Sequence, residues 1–353
     1  MTMFASLFKL RGTLTAQQRL WLEIGGFLFL LLIWFLLTVG ENPFVRPAIL
    51  PTPFSVLKAY PELYHDNKLI FNVFRSLGLN LAGYTEAMLI ALPVGFLIGL
   101  IPLFRGSFHR SVDAFRFVPL TAVTGLFIIW FGLGTAMKVH FLAFGILIYL
   151  LPVIVQRIDE VNDVYLKTVY TLGANKWQTV KTVYMPSVFS RLSDDVRVLT
   201  AISWTYIIVA ESLGSQGGIG AAIWRVGERQ GRVDKVFALL IIIIIIGFLQ
   251  DKLFVYLDKK FFAFKYQGDK DKEKRNSGTV KDAILTYVYQ VLFWSAIAIY
   301  ALLFFNEFSS QFTVEETPIL SYLFGDTVWL IHAYFFVIVG YTVYGFLKKR
   351  EII

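Results

Sequence analysis

The chain has 353 residues, 56% of them hydrophobic and only 16% charged, with a mean hydropathy of +0.63 and a formal net charge of +8. A soluble domain of this length needs far more polar surface, so the composition describes a polytopic membrane protein without a soluble catalytic domain. The chain has no cysteine, which excludes disulfides, Cys-ligated zinc, iron–sulfur clusters and thiol nucleophiles. The four histidines (His65, His109, His140, His332) show no metal-ligand spacing and read as interfacial or loop residues.

An α-helical span needs about 20 apolar residues to cross about 30 Å of hydrocarbon. In chain order, eight segments qualify: 21–39, 79–103, 117–132, 138–156, 198–213, 236–257, 284–305 and 327–347. The alternation of a membrane β-barrel is absent, so the predicted fold class is an all-α integral membrane protein. The first span is too long and too rich in Leu, Phe and Trp for a signal peptide. Gly40-Glu41-Asn42-Pro43 after it offers no cleavage site, and an uncleaved span is expected. With the N-terminus inside, 24 of the 33 Lys and Arg fall in cytoplasmic segments and nine outside. That asymmetry predicts cytoplasmic termini at both ends and accounts for the net charge by topology, with no nucleic-acid partner.

The outer segment 40–75 opens with RPAILPTPFSVL (46–57), whose prolines delay a short amphipathic helix until about Ser55. The stretch KYQGDKDKEKRNSGTVKD (265–282) reads as a charged, solvated and mobile linker. The domain reading is a cytoplasmic segment 1–20, a six-span body 21–264 with a cytoplasmic loop 157–197, the linker 265–282, and a two-span appendix 283–353. The appendix is expected at the periphery, against lipid or the outer spans of its own body. No internal repeat of useful length is present, which weakens inverted-repeat carrier folds.

The loop 157–197 contains DVYLKTVYTLGANKWQTVKTVYMPSVFSRL (163–192). Val164, Tyr165, Val169 and Leu172 keep a helical spacing up to Gly173, where a helix can end. Asn175 suits an N-cap, with Gln178 three positions on completing a capping box. Trp177, Val180, Val183 and Tyr184 are expected on one face of a second helix, which Pro186 closes. A helix of two to three turns, about 12–15 Å long, would suit a lever docking into a partner. An interfacial amphipathic helix without a partner fits the pattern equally well.

Here the sequence resembles the membrane permease subunits of ATP-binding-cassette importers. Their cytoplasmic EAA loop has the form E-A-A, three residues, Gly, nine residues, then I-x-L-P. In this chain Gly173-Ala174 is followed at that spacing by Val183-Tyr184-Met185-Pro186, while Lys167-Thr168-Val169 stands in place of E-A-A and removes an acidic docking group. More of the chain resembles the nitrate/sulfonate/taurine/bicarbonate branch. LPTP (50–53), SLGLNLAGY (76–84), PLTAVTGLFIIWFGLG (119–134), and Ala210-Glu211 with GGIGAAI (217–223) follow its pattern in order over about residues 20–265. Residues 266–353 have no counterpart in the six-span pattern.

The resemblance implies a coupling helix at about 174–184, with Gly173, Ala174, Asn175, Lys176, Trp177, Val183 and Pro186 as the ATPase-coupling residues. It also implies two ATPase subunits, a second permease chain (an identical copy is the first choice), a periplasmic or lipid-anchored binding protein, and a bacterial inner-membrane location. No GxxxxGK[ST] occurs, so no cofactor is expected in this chain and ATP-Mg belongs to the partner ATPase. Pathway candidates are Thr121, Thr124, Ser203, Trp204, Thr205 and Glu211, because hydroxyls coordinate an oxyanion without the cost of a buried charge. Helix packing by small hydroxyl residues is the plainer reading of the same Ser and Thr. Two readings stand for Glu211, a gate-lining carboxylate and one facing water at the interface. Glu86 inside the second span faces the protein interior or a wet cavity, or lies close enough to the outer surface for water. Arg225, Arg229 and Arg232 make the last outer loop of the body positive, as solvated charge or as an attraction for anions. The expected function is the translocation pathway of an ATP-driven importer for a small anionic solute. An ion-coupled carrier is the alternative, although paired intramembrane charges in two halves are lacking. A membrane-embedded enzyme would rest on His140 and Glu86 alone.

Overall fold

The computed structural model describes residues 12, 14–214, 217–266, 280–310 and 318–349, and among them every regular element is helical. The chain divides into two compact units, one of residues 1–67 with 225–241 and the other of 68–224 with 242–353.

In the first unit, α1 (Ala16–Thr38) starts with a capping box between Thr15 and Gln18, five residues before the expected span, because the box satisfies the polar first turn. Trp34 Nε1 donates to the Pro51 carbonyl at 2.9 Å and folds the proline-rich segment back along the helix. Thr52 caps α2 (Pro53–His65), and Pro53 occupies its first turn, where a missing N–H costs nothing. Val56, Ala59 and Leu63 form its buried stripe. Arg232 meets Glu62 at 3.0 Å and Asp234 at 2.8 Å, so this arginine is already neutralised. Only Arg225 and Arg229 of the predicted basic face lack such a pair among the described residues.

The second unit is built on α3 (Leu69–Leu100) and α6 (Thr135–Asp159), the most extensively packed pair. Gly83, Gly95 and Gly99 face Leu142, Ile154 and Ile158 in the same order along both helices, so the two run parallel. A Cβ on these glycines would sit 2.7, 2.6 and 2.5 Å from those side chains. Close approach replaces the hydrophobic drive that two lipid-immersed helices lack. Parallel α3 and α6 require a return between them. It is made by α4 (Pro102–Phe115) and α5 (Leu120–Phe131), bent 104° to each other. The third predicted span, 117–132, corresponds to α5, which at about 18 Å is too short to cross by itself.

A short helix α7 (Asp163–Thr171), a turn and α8 (Lys176–Thr179) lead into α9 (Met185–Ser212), which runs back beside α6. The expected stop at Pro186 does not occur. Val180–Tyr184 forms a π-helical turn whose widened ring brings the Met185 amide to the Val180 carbonyl. Pro186 then falls in the first turn of α9, where its missing donor and ring are tolerated. The lever is thus bounded by a break at Gly173 only, and continues into a 28-residue helix. α10 (Ile219–Trp224) and a π-helical turn (Arg225–Arg229) precede α11 (Val233–Phe261), which a 3₁₀ turn (Ala263–Tyr266) follows.

The appendix consists of α12 (Val280–Ser310), α13 (Ile319–Phe324), a 3₁₀ turn (Gly325–Thr327) and α14 (Val328–Lys349). It packs on α3 of its own body. Phe324 meets Phe74 edge-on at 5.4 Å, Tyr334 bonds Thr85 at 2.8 Å, and a Cβ on Gly78 would lie 2.4 Å from Thr327 Oγ1. Most of the predicted linker, 267–279, lies outside the described residues. Its first part is anchored, since Lys265 donates to Asp194 at 2.6 Å and to Asp258 at 3.1 Å.

Among the described residues five helices qualify as membrane-crossing by length and apolarity, and the bent pair would make six. Two of the eight expected spans fall outside this set. The first half of α9 carries Arg191, Asp194, Asp195 and Arg197, and the described apolar part of α12 is limited to Phe293–Ser309.

Candidate functional site

Two regions carry the polar architecture of the second unit. The first is the loop between α6 and α9. Asn162 caps α7 by accepting from the Val164 amide at 2.9 Å. The helix ends in a Schellman motif, with the Ala174 amide on the Val169 carbonyl and the Gly173 amide on Tyr170, both at 3.0 Å. Gly173 takes φ +78°, the left-handed conformation this motif needs, with open space where a Cβ would point. Asn175 and Gln178 exchange side-chain and backbone bonds at 2.8 Å each, forming the anticipated capping box.

Trp177 is 69% exposed while Val183 is buried, so the two do not share a face as the spacing suggested. The π turn rotates the downstream residues relative to α8. Val164, Tyr165, Tyr170, Leu172 and Trp177 leave large apolar surfaces uncovered. Beside them lies a cleft of about 470 Å³ between α7 (Tyr165, Thr168, Val169) and the π turn with the start of α9 (Thr182, Val183, Ser187). Ala174 is half-buried, and Lys176 and Pro186 are exposed.

Salt bridges that the sequence reading did not anticipate brace this end. Arg157 holds Asp195 bidentately at 2.7 Å and Glu160 at 2.6 Å, and Arg191 reaches Glu160 at 3.0 Å. The Arg157 guanidinium keeps the Glu160 carboxyl below its ordinary range. Burial opposes the charge of Lys265, but its bonds to Asp194 and Asp258 outweigh burial and raise its pKa. The start of α9 is thereby tied to the ends of α6 and α11.

The second region lies where α3 and α6 begin and α9 finishes. Asn72, Ser76 and Asn80 recur every four residues and share one face of α3. The Glu211 carboxylate on α9 accepts from Ser76 Oγ at 2.7 and 2.9 Å and from the Gly220 amide at 2.8 Å. Ser76 Oγ in turn accepts from the Ile219 amide at 2.8 Å, and Asn72 Oδ1 from the Gly218 amide at 2.9 Å. Glu211 is 0% exposed, which overturns the reading in which it faces water. The loop 217–220 folds over it. Gly218, at φ +108°, passes so close that a Cβ would sit 2.2 Å from the Glu211 carboxyl carbon, and one on Gly220 would meet the Ile208 carbonyl at 2.5 Å.

The remaining pathway candidates are distributed. Ser203 is buried and accepts from Asn80 Nδ2 at 3.0 Å, and buried Trp204 donates to Gln250 Oε1 at 3.0 Å. Thr124 is buried and turned to its own Leu120 carbonyl, whereas Thr121 and Thr205 are exposed. The structure brings Ser203 and Glu211 to one polar seam through the Asn72–Ser76–Asn80 face of α3, and does not bring Thr121 or Thr124 to it. Asn72, Ser76, Asn80, Gln250 and Lys138 were missed. The four-residue spacing in α3 was the available signal for the first three. Glu86 is hydrogen-bonded to His140 at 2.7 Å and His332 to Tyr300 at 2.7 Å, and both histidines lie within helices. Among the described residues no cluster of three metal-ligating side chains occurs.

This is an all-helical membrane protein with a capped, surface-presented loop at one end and a buried polar seam at the other. Residues 91–263 match the family described as the binding-protein-dependent transport system inner membrane component. The taurine transport system permease protein TauC of Escherichia coli is 28% identical over 238 residues, covering 66% of this chain and 86% of that protein. The putative aliphatic sulfonates transport permease SsuC of Bacillus subtilis is 28% identical over 236 residues, 65% of this chain and 84% of that protein. The riboflavin transport system permease RibX of Chloroflexus aurantiacus is 28% identical over 211 residues, 59% of this chain and 78% of that protein. A chain of the inward-facing MetNI methionine ABC transporter superposes with a TM-score of 0.48 at 19% identity, covering 57% of this chain and 97% of that one.

Residues 91–263 belong to the family of binding-protein-dependent inner-membrane components, the permease subunits of ATP-binding-cassette importers, and the similarity to such permeases extends over about two thirds of the chain. Its function is that of a transmembrane permease subunit, which sets aside the ion-coupled carrier.

Proposed function

We propose that this chain forms the translocation pathway for a small anionic solute of the sulfonate, taurine, nitrate or bicarbonate class. Solute is delivered by an external binding protein and driven across by two ATPase subunits that bind ATP-Mg. A second permease, most simply an identical copy, completes the pathway, and both termini are cytoplasmic. The similarity to the taurine and sulfonate permeases supports the solute class.

The observation that carries the coupling role is the loop 163–184. Its backbone groups are satisfied internally by the Schellman motif and the capping box, while Tyr165, Tyr170, Leu172 and Trp177 stand exposed beside an open cleft. A locally rigid element with an apolar patch fits a partner groove and transmits its motion as a rigid body. Gly173, Ala174, Asn175, Lys176, Trp177, Val183 and Pro186 hold or present that element. Thr121 and Thr205 are the pathway candidates with free surface for a solute.

The test is purification through this chain followed by reconstitution in liposomes. An ATP-hydrolysing subunit co-purifies, and taurine or an alkanesulfonate enters in an ATP-dependent manner, with nitrate, bicarbonate and riboflavin as comparison solutes. Uptake of riboflavin alone refutes the anionic class, and failure of any ATPase to co-purify refutes the coupling role. A reporter active only outside the membrane, fused after Ile353, stays silent.

A further inference from the structure

Lys138 stands in the first turn of α6 and is 2% exposed. Among the described residues it makes neither a hydrogen bond nor a direct ion pair. Its stem lies against Gly214, where a Cβ would be 3.1 Å from Lys138 Cε and 3.3 Å from Nζ. Gly214 follows Glu211 by three residues and donates its amide to the Glu211 carbonyl. An ammonium in such a place needs a countercharge, because an isolated buried ion is far more costly than a paired one. The acidic group at this end of α9 is Glu211, buried three residues before the Gly214 against which Lys138 packs. Glu211 has the complementary difficulty. Its carboxylate is fully buried, and hydrogen bonds from Ser76 and Gly220 satisfy its oxygens without supplying a full positive charge.

We infer that Lys138 is a positioning residue for transport, its charge offsetting that of Glu211 so that the buried carboxylate can hold the 218–220 loop against Ser76. The couple ties α3, α6, α9 and the loop into one closed end, and separating these helices means separating the charges. It acts at a distance through a low-dielectric interior, which leaves it sensitive to small movements of α6 against α9. The transport readout rests on the proposed ATPase partnership, whereas the stability readout is made on this chain alone and does not.

The experiment compares K138M, E211Q, the double variant and K138R. In the reconstituted complex each single neutralisation lowers substrate-stimulated ATP hydrolysis at least tenfold. The double variant recovers to within about threefold of wild type, and K138R stays near wild type, as a charge couple requires. A double variant no better than the worse single variant overturns the proposal. So does a K138M complex with an unchanged maximal rate but a tenfold higher solute requirement, which would make Lys138 a solute contact. If a single variant assembles poorly, thermal unfolding of the full chain in detergent is read instead. K138M then lowers the midpoint far less in the E211Q background than in wild type, and equal falls overturn the couple.

Discussion

Gly218 and Gly173 both take left-handed backbone conformations, yet the structure needs them for different reasons. At Gly218 the dihedral and the space are both constrained, because the loop is pressed onto the Glu211 carboxylate. At Gly173 only the dihedral matters, and a side chain would project into solvent. One end of the unit is held by tertiary contact across helices. At the other, salt bridges brace the helix ends, while the loop 163–179 is closed by its own local hydrogen bonds and leaves its outer surface unengaged. The proposed coupling role is consistent with this division, a sealed end opposite a loop whose surface is left open to a partner.

The sharpest way to break the comparison is Gly218→Ala. Overlap with a buried carboxylate adds to backbone strain, for a combined cost on the order of 3 kcal/mol. Thermal unfolding in detergent reads it as a large fall in midpoint, and a fall under two degrees would show that the loop has room to move.

Next in size is Ser76→Ala. It leaves the Ile219 amide without its acceptor and removes one donor from Glu211, a loss of about 1–3 kcal/mol. Faster amide exchange at Ile219 and Gly220 than elsewhere in α10 is the expected signature.

Gly173→Leu costs less, about 1–2 kcal/mol of left-handed strain. The chain inserts normally, but the turn between α7 and α8 is displaced and stimulated ATP hydrolysis is lost. Gly173→Asn, which tolerates the conformation, retains it. Normal stimulated hydrolysis in the leucine variant would remove the coupling assignment.

The smallest effect belongs to Glu160→Gln. Because Arg157 holds the folded pKa of Glu160 below its unfolded value, its stabilisation is present above the ordinary carboxylate range and is lost as pH falls through the folded value. The variant loses under about 1 kcal/mol at pH 7, as expected of a partly exposed pair. The difference from wild type vanishes in strong acid, and a difference that persisted there would assign the effect to packing.

What could be read without coordinates was local or statistical. The helices from apolar runs, the Asn175–Gln178 capping box and the turn at Gly173 are set within a few residues by hydrogen bonds and chain entropy. Pro186 misled because a breaker acts only if the backbone offers no other ring size, and the π turn offers one. The break between α4 and α5 depended on helices already packed in parallel around it. Only the tertiary structure decided the fate of Glu211, whose partner Ser76 is 135 residues away, and of Lys138, which in sequence only marks the edge of the predicted span 138–156. Ionisable groups in membranes are placed by distant groups that satisfy them. The pattern along the chain names the charges, and packing alone tells which pairs share the dark.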